Sequence, residues 1–322
     1  MKRATGPADL LALVPTLFGF HPHDSVVLIA TDRDVCGFSA RVDLPRGREA
    51  AEGLADYLAA ATLHQGARRV ALVLYSDDAG LCATAADVLV GGLEERGVEV
   101  RTCLRADGRR WFGLRGPCPS DDGVPYDVGS HAWTAEAVVA GRVTFASREE
   151  LAASLVGTDP DDEGAVLASA DAAALRLLGS ADGPGLATEA RWVRRAVRRA
   201  TTTGERPGVE DAARLLVAVA SIQVRDVAWA QMSRENARAH VELWRDLTRR
   251  APEQLRPPAA GLLAFAAWLS GDGALAWCAV DRCHETDPGY TLANLVAQAL
   301  EGAVPPSTWT PFDDATLPVF AG

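Results

Sequence analysis

The spacing of apolar positions changes partway along the chain. In the first half, short apolar or alternating runs predict strands, and longer segments repeat apolar residues with the period of a helix. The predicted strands lie at residues 25–30, 35–44, 69–75, 98–104 and 110–114. The predicted helices lie at residues 8–18, 49–64 and 78–96. Strands that alternate with helices of this length indicate an α/β domain with a mixed sheet.

The second half of the chain is predicted to be helical. A stretch rich in Gly, Pro and Asp at 116–130 predicts a loop, and the acidic segment GTDPDDEG at 157–164 predicts a solvated linker at or near a domain boundary. After one more helix, GSADGPG at 179–185 is a second breaker. We therefore predict three parts: an α/β domain at 1–155, an acidic and Gly-rich hinge with one helix at 156–185, and an all-α domain at 186–322.

One helical pair has recognisable spacing. In residues 264–288, a turn at Gly271-Asp272-Gly273 precedes small or apolar residues at Ala276, Val280 and Cys283 and a proline at Pro288. These spacings are similar to the second helix of a tetratricopeptide repeat, in which small residues let two helices pack closely. No second copy follows, so we predict a tetratricopeptide-like helical hairpin and no solenoid.

Composition and charge narrow the class of protein. The 322 residues are 48% hydrophobic and 23% charged, which is typical of a globular chain. The net charge of -11 disfavours nonspecific binding to nucleic acid or to anionic lipid. No signal peptide and no apolar run long enough for a membrane span is visible. None of the six cysteines forms a CxxC pair. We expect a cytoplasmic protein with no membrane contact and no cofactor.

The segment HPHDS at 21–25 is the most chemically suggestive motif. Two histidines at i and i+2, His21 and His23, could share a metal ion with Asp24. The alternative is that His21 and Pro22 shape a helix-to-strand turn in which Asp24 or Ser25 binds backbone amides. Because no further histidine lies close by, we favour the turn and predict no metal site.

An enzyme site is possible at one edge of the sheet, although no common catalytic motif occurs. Ligands of α/β sheets bind beyond the carboxyl ends of parallel strands, and Tyr75 ends such a strand. The residues before 25–30 reach the same edge only if that strand runs antiparallel to the strand at 69–75. The candidate catalytic residues are His21, Asp24, Ser25 and Tyr75. The candidate ligand-binding residues are Arg41, Asp43, Arg110 and Trp111.

A run of arginines marks a helix in the second half. Arg191, Arg194, Arg195, Arg198 and Arg199 lie on one side of this helix, opposite apolar residues. Such a stripe could bind phosphate or an acidic partner, or it could pair with carboxylates or face solvent. Without aromatic residues on the same face, nucleic-acid binding is disfavoured.

These segments resemble the actinobacterial "domain of unknown function 4192" family. The resemblance rests on LLALVPTLFGFHPHDSVVLIA, ARVDLP, VALVLYS, ADGRRWFGL, AEAVVAGRVTFASREEL and GDGALAWCAV, and covers nearly the full length. It implies that His21, Pro22, Asp24 and Ser25 follow the family pattern, whereas His23 is variable. It also implies a pair of cysteines near the second hairpin, of which only Cys118 is present. The family has no established activity, so the resemblance transfers architecture alone.

The sequence thus leaves the function unknown and the choice between three hypotheses open. The favoured one is a cytoplasmic binding or scaffold protein with a protein partner on its helical domain. The alternative is an enzyme, hydrolase-like or ligand-processing, with a site near His21 and Asp24. The weaker one is a nucleic-acid-associated protein that acts through Arg191–Arg199.

Overall fold

The computed structural model describes residues 4, 6–32, 38–115, 120–139, 143–178, 183–313 and 316–320. The chain divides into two compact units, Met1–Arg148 and Glu149–Gly322. The predicted bounds of 1–155, 156–185 and 186–322 stay a prediction.

The first unit contains a six-stranded sheet and four helices among its described residues. The strands are β1 (Ser25–Ala30), β2 (Ser39–Asp43), β3 (Arg69–Tyr75), β4 (Glu99–Ala106), β5 (Arg110–Arg115) and β6 (Val124–Pro125). The helices are α1 (Pro7–Phe18), α2 (Arg48–His64), α3 (Ala79–Glu95) and α4 (Ala132–Val139).

The strand order is β2-β1-β3-β4-β5-β6. Strands β3 and β4 run parallel and are connected through α3, whereas every other neighbouring pair is antiparallel. The predicted mixed sheet is therefore confirmed. Strand β2 is shorter than the predicted 35–44, of which 35–37 lie outside the described residues. Strand β6 lies within the stretch predicted as a loop, because two residues paired to β5 are too short to leave a periodic pattern.

Helices α2 and α3 cover one face of the sheet. Val26, Leu28 and Leu72 are fully buried in a cluster that includes Leu58 of α2 and Leu89 of α3. Because side chains alternate along a strand, Ser25 and Tyr75 face the opposite side. The apolar runs in β1 and β3 thus reflect burial on both faces.

The second unit is helical among its described residues. Its helices begin with α5 (Arg148–Ala153), which starts at the division between the units, and continue as α6 (Pro160–Leu178), α7 (Gly183–Thr203), α8 (Val209–Ala218), α9 (Ile222–Ala230), α10 (Ala237–Arg250), α11 (Arg256–Leu269), α12 (Gly273–His284) and α13 (Thr291–Glu301). Short 3₁₀ turns occur at Glu253–Leu255, Pro306–Thr308 and Pro318–Phe320. Helices α11 and α12 pack against each other. Asp272 caps α12 by accepting a hydrogen bond from the Leu275 N–H at 2.9 Å.

The acidic segment at 157–164 is not a solvated linker along its whole length, as its sequence suggested. Its residues from Pro160 onward form the first turns of α6. Asp162 is 18% exposed and pairs with Arg250, whose side chain is 5% exposed. The first glycine of this segment, Gly157, lies against the carbonyl of Arg249, where no larger residue fits. Because Asp162 pairs with the buried Arg250 of α10, this part of the acidic segment forms the ordered start of a helix. Local composition does not reveal such a partner.

None of the helices in the described ranges is both long enough and apolar enough to cross a membrane.

Candidate functional site

Four of the eight candidate residues predicted in the first unit lie in one row across the sheet. Ser25 of β1 pairs with Asp43 of β2 and with Tyr75 of β3. Tyr75 pairs in turn with Ala106 of β4, which pairs with Trp111 of β5. Because β1 is antiparallel to β3, the start of β1 and the carboxyl ends of β3 and β4 lie at the same edge. We call this edge, with residues 21–25, 75–78 and 105–107, the carboxyl edge.

Asp24 and Ser76 meet directly at the carboxyl edge. The Ser76 hydroxyl, on a residue that is 5% exposed, donates a hydrogen bond to Oδ1 of Asp24 at 2.7 Å. Asp24 has a φ of +42°, a conformation that is uncommon for residues other than glycine, although Asp tolerates it better than most. Strained backbone conformations of this kind are concentrated at active sites and ligand-binding sites. The turn before β1 therefore holds the Asp24 carboxylate against the end of β3.

Ser25 is bound within the turn. Its side chain is fully buried, its hydroxyl donates to the carbonyl of His23 at 2.6 Å, and it accepts a hydrogen bond from Nε of Arg41 at 2.8 Å. Arg41 also forms an ion pair with Asp43 at 2.6 Å. These bonds fix the β1–β2 hairpin, so this serine and this arginine contribute to the shape of the site.

Tyr75, the last residue of β3, carries a buried hydroxyl on the face of the sheet opposite α2 and α3. The residue is 7% exposed, and its hydroxyl has no hydrogen-bond partner within the described part of the chain. Burial raises the pKa of Tyr75 well above its usual value, and the neighbouring Tyr126 raises it further. The phenol is therefore protonated and can donate or accept a hydrogen bond. A buried polar atom without a partner is rare and is found at binding and catalytic sites.

Arg105 was missed by the sequence analysis. It is 7% exposed, its Nη1 donates to the carbonyl of Ser76 at 3.1 Å, and its guanidinium lies 3.9 Å from the centre of the Phe112 ring. It forms no ion pair with any described residue. Its position directly after the predicted strand at 98–104 was the available signal for it.

The amino end of α3 borders the same turn. Asp78 caps the helix by accepting a hydrogen bond from the Leu81 N–H at 2.8 Å, and its own N–H lies 3.3 Å from the Ser76 hydroxyl. Ser76 also escaped prediction, although its position directly after β3 is where the rule for parallel sheets places ligands.

The electrostatics of the edge are dominated by carboxylates. Burial alone would raise the pKa of Asp107, but hydrogen bonds from the backbone N–H groups of Arg110 and Arg109 and the charge of Arg105 outweigh it, so that the pKa falls. Asp107 is thus ionised near Tyr126. With Asp24, Asp77 and Asp78 also at this edge, carboxylates outnumber the single buried cation, Arg105.

The two histidines of the HPHDS motif lie on the exposed side of the carboxyl edge. The N–H of His21 donates to the carbonyl of Phe145 at 3.0 Å, and its exposed ring makes no hydrogen bond to a described residue. Partial burial lowers the pKa of His21. Nδ1 of His23 lies 3.4 Å from Oδ2 of Asp24, and both side chains are more than half exposed. Among the described residues, no three His, Cys, Asp or Glu side chains are grouped so that they could hold a metal ion.

The order of these contacts limits the chemistry. In a serine hydrolase, a histidine lies between the serine and the carboxylate and takes the serine proton. Here Asp24 lies between His23 and Ser76, so the serine donates directly to a carboxylate, which is a much weaker base than imidazole. The arrangement is suited to accepting and donating hydrogen bonds to a ligand. It does not activate Ser76 as a nucleophile.

Arg110 and Trp111 have structural contacts. Nη1 of Arg110 donates to the carbonyls of Asp122 and Gly123 at 2.8 and 2.9 Å, which ties β5 to the turn before β6. Trp111 is 8% exposed and occupies the sheet row beside Ala106. Both residues border the carboxyl edge without pointing a charged or polar group at Asp24.

The four cysteines within the described residues are all buried. Burial raises the pKa of Cys82 to about 11 and that of Cys103 to about 12. Thiols with such pKa values stay protonated at neutral pH and are poor nucleophiles. Cys118 lies outside the described residues.

The predicted arginine helix is α7, in the second unit. Arg199 pairs with Asp211 at 2.6 Å, whereas the guanidinium of Arg194 lies 5.3 Å from the centre of the Phe320 ring. Arg191, Arg195 and Arg198 are exposed and form no ion pair within the described ranges. The guanidinium of the exposed Arg191 also lies near the Phe320 ring, 5.8 Å from its centre, so the helix carries arginines with local contacts beside arginines that face solvent.

Comparison with protein families gives one result. Residues 7–307 match the family described as "Domain of unknown function (DUF4192)". The chain belongs to the DUF4192 family. The match spans both units, so the DUF4192 pattern includes the α/β sheet and the helices up to α13. Searches among curated proteins and among solved structures give no match. Since the function of DUF4192 is unknown, membership assigns no activity, and any function must be argued from the residues themselves.

Proposed function

We propose that this protein is a binding protein whose α/β unit holds a small polar ligand at the carboxyl edge. The observation that carries the proposal is the 2.7 Å hydrogen bond between Ser76 and Asp24 at the end of the parallel strands β3 and β4. This is the position at which α/β sheets bind ligands. The strained backbone of Asp24 supports the same location.

The charges at this edge favour a ligand that donates hydrogen bonds. Asp24, Asp77, Asp78 and Asp107 outnumber Arg105, so an anion would be repelled more than it is attracted. A neutral polyol or a cationic amine would donate hydrogen bonds to these carboxylate acceptors. We propose no enzymatic step, because Asp24 occupies the position that the base of a nucleophilic serine would need.

The second unit completes the proposed role. We propose that the helical unit, through surfaces such as the tetratricopeptide-like hairpin of α11 and α12, contacts a protein partner in the cytoplasm. The close packing of these two helices supports a stable scaffold for such a contact.

The ligand proposal is tested by thermal denaturation of the full chain in the presence of ribose, ethanolamine or acetate. A ligand at about ten times its Kd stabilises the folded state by about 1.4 kcal/mol, which corresponds to a rise in Tm of about 3 °C. We expect such a rise with ribose or ethanolamine and none with acetate.

Variants locate the effect. Asp24→Asn keeps a residue that tolerates positive φ and Ser76→Ala removes only the hydroxyl, so each should abolish the rise while the protein stays folded. Ser270→Ala is the matched control, since it removes a hydroxyl bonded to the Ala267 carbonyl in the other unit. A rise that survives both site variants, or one produced by acetate alone, would contradict the proposal, as would the absence of any rise.

A further inference from the structure

The exposed side of α7 carries a row of arginines with regular spacing. Arg191, Arg195 and Arg198 lie at i, i+4 and i+7, which places them on one face over about 10 Å of helix. All three are exposed, and the opposite face of α7, with Val193, is buried. We call these three residues the arginine row. Its backbone is held in place because the helix is anchored by its apolar side.

The arginine row has no compensating negative charge on its own helix. The only carboxylate in α7 is Glu189, which is 5% exposed and accepts hydrogen bonds from Arg214 at 2.8 and 2.7 Å. Exposed helix faces are ordinarily stabilised by opposite charges at i and i+4, and like charges at this spacing destabilise a helix. Arg191 and Arg195 are such a repelling pair. The repulsion would be relieved by carboxylates from outside.

The surroundings of the row favour a protein partner over a nucleic acid. The net charge of -11 repels a long polyanion, whereas a short acidic segment meets only the local field of the row. Single-stranded nucleic acid would also need aromatic rings for stacking. Trp192, beside the row, is covered by the Arg214 guanidinium at 3.9 Å.

We infer that the arginine row is a docking surface for an acidic segment of a partner protein, with carboxylates spaced along one face of a helix. The inference rests on the proposed partner-binding role of the helical unit and is independent of the ligand at the carboxyl edge. Failure here would leave the thermal-shift result with ribose or ethanolamine unaffected.

The test uses the full chain and two synthetic peptides of about 20 residues with equal numbers of glutamates. In one peptide the glutamates follow the i, i+4, i+7 spacing, and in the other they are distributed around the helix. Fluorescence anisotropy at about 50 mM and at about 300 mM salt measures the two Kd values. We expect the first peptide to bind more tightly, and its binding to weaken as salt rises.

Two triple variants separate position from net charge. Arg191→Gln, Arg195→Gln and Arg198→Gln together should weaken binding of the first peptide by about tenfold or more, since each exposed pair contributes modestly. The control combines Arg234→Gln, Arg238→Gln and Arg249→Gln, which are exposed and remove the same charge from the same unit. It should change Kd by less than about twofold.

Three results would overturn the inference. The first is an equal loss of affinity for the first peptide in both triple variants, which would mean that binding depends on net charge alone. The second is equal affinity for the two peptides, or no binding at low salt. The third is tighter binding of a DNA duplex of about 20 base pairs than of either peptide, which would make the row a nucleic-acid surface.

Discussion

His240 should make the helical unit sensitive to mild acid. It lies on α10 and is 1% exposed, and its Nδ1 has no hydrogen-bond partner among the described residues. Burial lowers the pKa of His240 from 6.5 to about 4, although a hydrogen bond to the backbone of Gln231 opposes the shift. The folded protein therefore holds this histidine neutral over a pH range in which the unfolded chain would protonate it.

The magnitude follows from the difference between the two pKa values. Above about pH 6.5 the residue is neutral in both states and leaves stability unchanged. As the pH falls further, the unfolded chain binds a proton that the folded chain does not, so the free energy of unfolding decreases. The loss is about 2 kcal/mol at pH 5 and reaches about 3 kcal/mol once the pH is below the folded pKa of about 4.

Urea unfolding between about pH 7.5 and about pH 5 measures this loss. Tryptophan fluorescence follows mainly the second unit, which contains six of the eight tryptophans (Trp192, Trp229, Trp244, Trp268, Trp277 and Trp309). The variant His240→Leu should flatten the decline by about 2 kcal/mol, whatever its stability at neutral pH. The control His64→Gln, at an exposed position, should decline as the native chain does. If His240→Leu shows the same decline as the native protein, the reasoning is refuted.

Three further predictions concern α6 and the residues directly before it. Arg250→Met should lower the free energy of unfolding by about 1–3 kcal/mol, because Asp162 and Asp246 each lose a buried partner at 3.1 Å and keep only the exposed Arg206. The neighbouring, exposed Arg249→Met should change it by less than about 0.5 kcal/mol, and urea unfolding that shows equal effects would contradict the role of the pair. Gly157→Ala should destabilise by about 1–3 kcal/mol, because its Cβ would collide with the Arg249 carbonyl oxygen. Gly164→Ala, inside α6 with nothing within 4 Å of the added atom, should stabilise by about 1 kcal/mol; thermal unfolding of both variants checks the contrast.

Helices and strands with a regular apolar period were predictable from the sequence. Elements that depend on a single contact with a distant residue were not. The apolar runs of β1 and β3 and the helices α2 and α3 follow from local spacing, because burial on one or two faces imposes a period that survives in the sequence. Strand β6, with two residues, has no period. The start of α6 depends on Arg250, which is distant along the chain from Asp162.

The candidate site likewise contains features that the sequence predicts and contacts that it does not. The turn at HPHDS and the strand end at Tyr75 could be recognised as chemically suggestive, and the condition that joined them, antiparallel β1 and β3, could be stated in advance. Ser76 and Arg105 were not recognised. Their roles depend on contacts across strands, and the only local signal for either residue was its position directly after a predicted strand.

The sequence by itself determined the family, the mixed α/β character of the first unit and the helical character of the second, since each depends on repeated local features summed over many residues. Only the tertiary structure decided that Asp24 lies between His23 and Ser76, that Ser25 is bound within its turn, and that the Tyr75 hydroxyl is buried without a partner among the described residues. Strand direction and register set these contacts, and a reversal of one strand would leave every local pattern unchanged while moving the Asp24 carboxylate to the opposite edge of the sheet.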